Sequence, residues 1–170
     1  MNILNICRQL GVGLVLCLLT GSAAALDAPM GKPVLTIAGK VTQTNRNGQA
    51  VFDSALLDRF PVHQVTTETP WYDGATTFEG PLLRDVLAAA GADGATMLVV
   101  KALNDYSARV PVKDAQLYGV VLARKADGHP MTIRDKGPLF LIYPFDEHPE
   151  LKSDKFYHRS VWQIHRIDAE

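Results

Sequence analysis

The segment spanning residues 106–146 constrains the fold of this chain more than any other part, because it alternates short apolar runs with strong turn signals. Strands are predicted at residues 106–112, 120–124 and 139–143. They are separated by an acidic turn at Asp114, an Asp127-Gly128 turn and a loop over residues 134–138, and Pro144 ends the last strand. This spacing leaves no room for long helices between the strands and favours a mainly β domain.

The remaining segments complete the pattern of an α+β domain, mainly β with mixed strands. Further strands are predicted at residues 34–38, 50–53, 63–69, 96–102 and 161–167. A turn at residues 45–48 is expected to join the first two into a hairpin. Residues 146–155 are charged and are expected to be irregular. The order of the strands does not follow from this pattern.

One clear helix is predicted at about residues 81–90. Pro81 is expected at its first position, and Gly91 ends it. The apolar face of this helix consists of Leu82, Leu83, Val86 and Leu87. A shorter helix is expected after Ser54, whose side chain is predicted to cap it, and Pro61 ends that helix.

The first 25 residues have the composition of a cleavable export signal. Arg8 supplies a positive charge, residues 10–20 form an apolar run too short for a confident membrane span, and residues 21–25 are small. Cleavage is predicted after Ala25, which leaves a single domain at residues 26–170 and predicts a periplasmic location. An uncleaved membrane anchor is the alternative.

The composition of the predicted domain excludes several classes of protein. Both cysteines of the chain, Cys7 and Cys17, lie in the export signal, so the domain forms no disulfide, thiolate metal site or cysteine nucleophile. Arg8 is the only charged residue of the signal, and its removal changes the formal net charge from −1 to −2. This near-neutral balance gives no support for nucleic-acid binding. The histidines lack metal-binding spacing, and the P-loop, nucleophile-elbow and Rossmann motifs are absent.

The order of elements in residues 120–144 is an aliphatic strand, an Asp-Gly turn, a Gly-Pro loop, an aliphatic strand and a proline. It resembles the pterin-binding domain of the sulfite oxidase and bacterial methionine-sulfoxide-reductase family of molybdenum enzymes. Residues 78–87, 102–111 and 161–164 resemble further segments of that domain, so the resemblance spans roughly residues 34–167. It implies the sulfite oxidase molybdopterin-binding fold, and a cofactor drawn from molybdopterin or other pterins. The chain looks most like the short, exported, single-domain members.

Two departures separate this chain from the catalytic members that it resembles. The family pattern places a molybdenum-binding cysteine near Thr67 or Glu68, and a hydroxyl does not replace a soft thiolate as a ligand. The pattern also places an arginine, suited to the cofactor's phosphate, at the position of Phe140. The loss of both groups favours a non-catalytic domain without a metal. The alternative is a molybdopterin-dependent oxidoreductase in which another group, such as the Glu68 carboxylate, binds the metal.

Three segments carry candidate ligand-binding residues. They are Thr66, Thr67, Glu68, Trp71 and Tyr72 in the first; Asn104, Tyr106 and Arg109 in the second; and Arg134, Lys136 and Gly137 in the third. Aromatic rings beside hydroxyls and a carboxylate suit a planar polar ligand. The second segment is expected at the rim of the same cleft, and the charges and backbone amides of the third suit an anion. His158 is a further side chain that could approach this pocket.

Each of these segments also has a purely structural interpretation. The threonines of the first could face solvent from an edge strand while Trp71 covers the core. The asparagine and aspartate at residues 104–105 could satisfy local backbone groups, and residues 134–137 could form a solvated charged turn.

These patterns support three functional hypotheses. The first is a non-catalytic module that binds a small-molecule ligand in the inherited cleft. The second is the molybdopterin-dependent enzyme, with Arg109, Arg134 and Lys136 binding anionic groups of substrate or cofactor. The third is a partner of a membrane-bound sensor or redox protein, contacted through residues 161–167 if that strand is an exposed edge.

Overall fold

A computed structural model describes residues 26–170. The predicted export signal, its cleavage after Ala25 and both cysteines lie outside the described residues. Within residues 26–170, no helix has the length and apolarity needed to cross a membrane.

The described chain contains eleven strands and four short α-helices. The strands are β1 (Pro33–Gly39), β2 (Ala50–Asp53), β3 (His63–Glu68), β4 (Ala75–Gly80), β5 (Met97–Ala102), β6 (Ser107–Pro111), β7 (Val121–Ala123), β8 (Lys125–Ala126), β9 (His129–Pro130), β10 (Phe140–Ile142) and β11 (Ile164–Ala169). The helices are α1 (Ser54–Leu57), α2 (Leu83–Ala89), α3 (Val112–Leu117) and α4 (Asp154–Arg159). Short 3-10 turns lie at Ile133–Asp135 and Pro149–Leu151.

The strands of residues 26–170 are arranged in three sheets. A five-stranded sheet has the order β2-β1-β11-β5-β6, a four-stranded sheet has the order β3-β4-β8-β9, and β10 pairs with β7. The pair formed by β1 and β11 is parallel, whereas the other pairs of strands are antiparallel. The predicted α+β class, mainly β with mixed strands, is therefore confirmed, and so is the hairpin of β1 and β2.

The final strand lies in the middle of its sheet. Thr36 of β1 pairs with Arg166 on one side of β11, and Ala102 of β5 pairs with Ile164 on the other. The expectation that residues 161–167 could form an exposed edge is wrong, because both sides of β11 are paired. Alternating apolar residues occur in central and in edge strands alike, so the sequence pattern did not distinguish the two positions.

The clear helix of the sequence is α2, and Leu83, Val86 and Leu87 are its buried face. Pro81 does not stand at its first position. The helix follows an extended Leu82, and the Pro81 carbonyl accepts a hydrogen bond from the Leu122 N–H at 2.8 Å. The Gly80-Pro81 segment therefore precedes the helix and is also hydrogen-bonded to β7.

Two local expectations are wrong, and one strand was missed. Asp114 lies in the six-residue helix α3 rather than in a turn, and residues 146–155 contain a 3-10 turn and the start of α4. Strand β4 was not predicted at all, since its threonine-rich sequence lacks a long apolar alternation. Helices of this length cover fewer than two full turns, so they leave almost no periodic signal.

Two clusters of buried apolar residues hold the described chain together. The larger one contains most of the buried residues of the five-stranded sheet and of the helices. The smaller one consists of Val65, Phe78, Leu82, Val121, Ala123, Met131, Phe140 and Ile142. Trp71, Tyr72 and Trp162 pack against this smaller cluster and are only partly buried, so aromatic surface remains available there.

The carboxylate that caps α1 belongs to Asp53 and not to Ser54. Its Oδ1 accepts the Leu56 N–H at 2.8 Å, and its Oδ2 accepts the N–H groups of Gly31 at 2.7 Å and Met30 at 2.9 Å. These backbone donors, the Gly31 N–H first among them, hold the pKa of Asp53 below its usual range. One side chain thus ties the segment before β1 to the start of α1.

Replacement of Asp53 by asparagine is expected to lower the free energy of unfolding at neutral pH. The variant should then lose less of that free energy than the parent when the pH is lowered. A depressed folded-state pKa stabilises the domain above the unfolded value of about 3.9, and this contribution is lost as the pH falls through the folded pKa. Urea midpoints measured between about pH 5 and pH 2 should therefore fall less steeply in Asp53→Asn than in the parent. The exposed Asp93→Asn is the control, and equal acid slopes in all three proteins would contradict this role.

Candidate functional site

An open cleft of about 310 Å³ lies where the β3–β4 and β5–β6 turns meet α4 and the segment that leads into β11. Its lining residues are Trp71, Ala102, Asn104, Tyr106, Tyr157, His158, Ser160 and Trp162. Three of the predicted ligand-binding residues are among them, namely Trp71, Asn104 and Tyr106. His158 also lines the cleft, as the sequence suggested. Four of the eight lining side chains are aromatic, which gives the site a mainly apolar character.

Trp71 is the centre of the aromatic wall. Its ring makes edge-to-face contacts with Phe140, Tyr157 and Trp162, at centroid distances of 5.3, 5.9 and 5.7 Å. Phe140 is fully buried behind the cleft and also contacts the rings of Phe78 and Trp162 at 6.0 Å. Edge-to-face packing is favourable because the ring edge is positive and the ring face is negative. The wall is therefore fixed by ring contacts on several sides.

The polar groups of the cleft come from the β5–β6 turn and from α4. The Tyr106 hydroxyl donates to the His158 carbonyl at 2.9 Å and so connects the two elements. The Tyr106 N–H donates to Asn104 Oδ1 at 3.2 Å. On the helix, His158 Nδ1 lies 2.6 Å from the Asp154 carbonyl oxygen.

Helix α4 is held in place by a buried carboxylate. Asp114 Oδ2 accepts hydrogen bonds from Arg159 Nη1 at 2.8 Å and from the Tyr143 hydroxyl at 2.9 Å. Burial of Tyr143, and next the charge of Asp114, raise the pKa of the phenol far above its usual range, so the hydroxyl remains a donor. The Arg159 guanidinium also lies over the Phe156 ring, 5.3 Å from its centroid. These contacts set the position of the Tyr157 and His158 side of the cleft.

The threonines of the first predicted segment serve the structure. Thr67 is fully buried, and its Oγ1 accepts the Asp146 N–H at 3.1 Å. The N–H of Glu68 donates to Asp146 Oδ2 at 2.8 Å, and Thr66 is exposed and shares a hydrogen bond with Thr77 Oγ1 at 2.9 Å. Lys152, followed by the Glu68 N–H, holds the pKa of Asp146 below its usual range. Thr66, Thr67 and Glu68 are therefore not among the residues that line the cleft.

The third predicted segment packs beside Tyr72 and outside the cleft lining. Lys136 Nζ lies 4.6 Å from the centroid of the Tyr72 ring, and the Tyr72 hydroxyl donates to the Asp135 carbonyl at 3.2 Å. Burial, and next Asp135, raise the pKa of Tyr72 above its usual range. The Gly137 N–H donates to the Thr132 carbonyl at 2.6 Å, so this amide is not available to an anion. Arg134 is exposed.

Arg109 does not lie at the rim of this cleft. It is on β6, where its Nη2 is 2.8 Å from Glu170 Oε2, and it is absent from the lining residues. Tyr157, Ser160 and Trp162 line the cleft and were not predicted as ligand-binding residues. The available signal was that Trp71 and Trp162 are the only tryptophans of the chain.

Comparisons with known proteins identify the family. The sequence model of the oxidoreductase molybdopterin-binding domain matches residues 39–146, and the chain therefore belongs to this family. The fold resembles that of the sulfane dehydrogenase SoxCD from Paracoccus pantotrophus, with a TM-score of 0.57 and 19% identity over 79% of this chain. The match covers 37% of that chain, and at this identity it shows the fold alone. No curated protein shows a significant match. The superfamily inferred from the order of elements is thus confirmed.

The donor groups of this site do not fit a molybdenum cofactor. Residues 26–170 contain no cysteine to supply a thiolate, and they hold no group of three or more histidine, cysteine or acidic side chains that could bind a metal. At the position where the family pattern has an arginine, Phe140 is buried in the aromatic wall.

A phosphate group also lacks a partner here. The described residues that line the cleft include no lysine or arginine. Arg159 and Arg109 are paired with Asp114 and Glu170, respectively. An uncharged planar ring system is what an aromatic cleft of this size can accommodate.

Proposed function

We propose that this chain is an exported, non-catalytic domain that binds a planar small molecule of the pterin class, without molybdenum, in the aromatic cleft. The observation that carries the proposal is the ring wall built by Trp71, with Tyr157 and Trp162 in edge-to-face contact. Membership of a molybdopterin-binding family supports a pterin as the ligand class. The lack of a thiolate in the described residues, and of a cation in the lining, supports a ligand that carries neither metal nor phosphate.

We also propose that the partner of this domain is a membrane-bound sensor or redox protein, which responds to the bound ligand. The contact surface for such a partner is not β11, because that strand is central in its sheet. Co-purification of a membrane protein with the tagged chain, from the native host with and without added pterin, tests this part of the proposal.

Tryptophan fluorescence reports directly on the cleft, because both tryptophans of the chain line it. Addition of pterin should quench the emission in a saturable way with one site per chain. A parallel titration of N-acetyltryptophanamide corrects for light absorbed by the pterin. Trp71→Ala should lose most of the binding, whereas Trp71→Phe, which keeps a ring in place, should retain more of it.

Metal analysis separates this function from the enzymatic alternative. Protein purified from a host that makes the molybdenum cofactor should contain no molybdenum, and the pterin released from it should be detected by fluorescence after oxidation. Molybdenum near one atom per chain would show a catalytic domain with an unusual ligand. If the protein contains neither molybdenum nor pterin and its fluorescence is not quenched by pterin, the proposed ligand class is wrong.

A further inference from the structure

The tautomer of His158 follows from its partner on α4. Its Nδ1 lies 2.6 Å from the Asp154 carbonyl oxygen, and a carbonyl oxygen can only accept a hydrogen bond. The proton of the neutral ring is therefore on Nδ1. This leaves Nε2 with a free lone pair, and His158 is a lining residue of the cleft. In its neutral form, this side chain offers the ligand an acceptor.

The orientation of the Asn104 amide is fixed in the same manner. Its Oδ1 accepts the Tyr106 N–H at 3.2 Å, so the oxygen end faces the backbone of the turn. The Nδ2 end has no hydrogen-bond partner among the described residues, and Asn104 lines the cleft. This side chain therefore offers the ligand a donor.

Tyr106 holds these two residues in a fixed relation. Its N–H binds Asn104, and its hydroxyl binds the backbone carbonyl of His158 on α4. A donor and an acceptor that both line the cleft are thus connected through a single residue. Such an arrangement can distinguish ligands by the pattern of their polar edge rather than by shape alone.

We infer that His158 and Asn104 determine the ligand specificity of the cleft, by recognising a lactam edge in which a ring N–H stands beside a C=O. The N–H donates to His158 Nε2, and the C=O accepts from Asn104 Nδ2. This inference rests on the proposed function, because it assigns the polar contacts of the planar ligand proposed there.

Two ring systems of nearly the same size and shape test the inference. Pterin carries the lactam edge, whereas in 2,4-diaminopteridine an amino group replaces the oxygen and the neighbouring ring nitrogen has no proton. Both are titrated by tryptophan fluorescence in neutral buffer, because alkaline buffer would remove the lactam proton of pterin. The parent protein should bind pterin at least about ten-fold more tightly, since one hydrogen bond lost corresponds to roughly a factor of ten.

The variants change the polar pattern of the cleft, and Asn104→Asp does so without changing the shape of the side chain. Asn104→Asp keeps the acceptor for the Tyr106 N–H but replaces the donor by an acceptor, and it should abolish or invert the preference for pterin. His158→Ala should weaken pterin binding by about ten-fold, and His158→Gln, which places an amide near the Nε2 position, should restore part of it. The controls are Gln64→Glu and His129→Gln, which make matching changes at exposed positions outside the cleft.

The outcomes distinguish this inference from the proposed function. If pterin quenches the parent and Asn104→Asp loses the preference while the controls retain it, the assignment stands. If pterin binds but the ratio of the two affinities is unchanged in the Asn104 and His158 variants, the assignment is wrong and the proposed function survives. If neither ring system binds the parent, both are overturned.

Discussion

Replacement of Asp114 by alanine is expected to destabilise the domain by about 3–5 kcal/mol, because it breaks a buried charge pair. Its carboxylate is the shared acceptor for the Arg159 guanidinium and the Tyr143 hydroxyl. The side chains of Asp114 and Arg159 are only 9% and 18% exposed, so the guanidinium left behind would be largely desolvated and unpaired. Equilibrium urea unfolding, followed by circular dichroism, measures the change.

A surface ion pair provides the control for this experiment. Asp85 is 3.7 Å from Arg84, and both side chains are more than a third exposed. Asp85→Ala should therefore change the stability by no more than about 0.5 kcal/mol. If Asp114→Ala also falls in that range, the buried network does not support α4. Under conditions in which Asp114→Ala is still folded, its affinity for pterin should also be lower than that of the parent, because α4 carries Tyr157 and His158.

Replacement of Gly80 by alanine should cost about 3 kcal/mol or more. An added Cβ would stand 2.1 Å from the Leu122 carbonyl oxygen, 2.9 Å from its carbon and 3.1 Å from Ala123 Cα. All three are backbone atoms, so relief requires β4 and β7 to separate rather than a side chain to rotate. The Pro81 carbonyl, which accepts the Leu122 N–H, would move as well. The expected result is a lower urea midpoint with a wider thermal transition.

Gly94 is the matched control, because a Cβ added there would meet no atom within 4 Å. Gly94→Ala should leave stability unchanged or raise it by about 0.4–1 kcal/mol, through a smaller entropy of the unfolded chain. Equal stability of the Gly80 and Gly94 variants would show that the contact of β4 with β7 is loose enough to accept a methyl group.

The fold class was predictable because it rests on local signals that the structure uses. The apolar runs became β1, β5, β7 and β10, and the turn at residues 45–48 produced the hairpin. The central position of β11 was not predictable, since strand order is decided by packing of distant segments and not by alternation. Helices α3 and α4 were also not predicted, because each is only six residues long and leaves little periodic signal in the sequence.

The candidate site was predictable only in part, for a related reason. Trp71, Asn104 and Tyr106 lie in turns that combine aromatic residues with the turn-forming residues proline, glycine, asparagine and aspartate. Such turns are recognisable in the sequence. Tyr157 follows the charged segment at residues 146–155, and Trp162 belongs to a segment that the sequence presents as a strand. They reach the cleft because Asp114, distant in sequence, fixes α4 against the sheet. Thr67 looked like a cleft residue because a buried hydroxyl that serves a loop is indistinguishable in sequence from one that serves a ligand.

The position of β11 also governs when the chain can acquire its native sheet. This strand follows the ten others in the sequence, so during synthesis β1 with β2 and β5 with β6 exist only as separate hairpins, which are marginally stable in water. Joining them requires Thr36 to meet Arg166, a pairing between distant parts of the chain of the kind that forms slowly. The five-stranded sheet therefore cannot form until β11 is available to pair with β1 and β5.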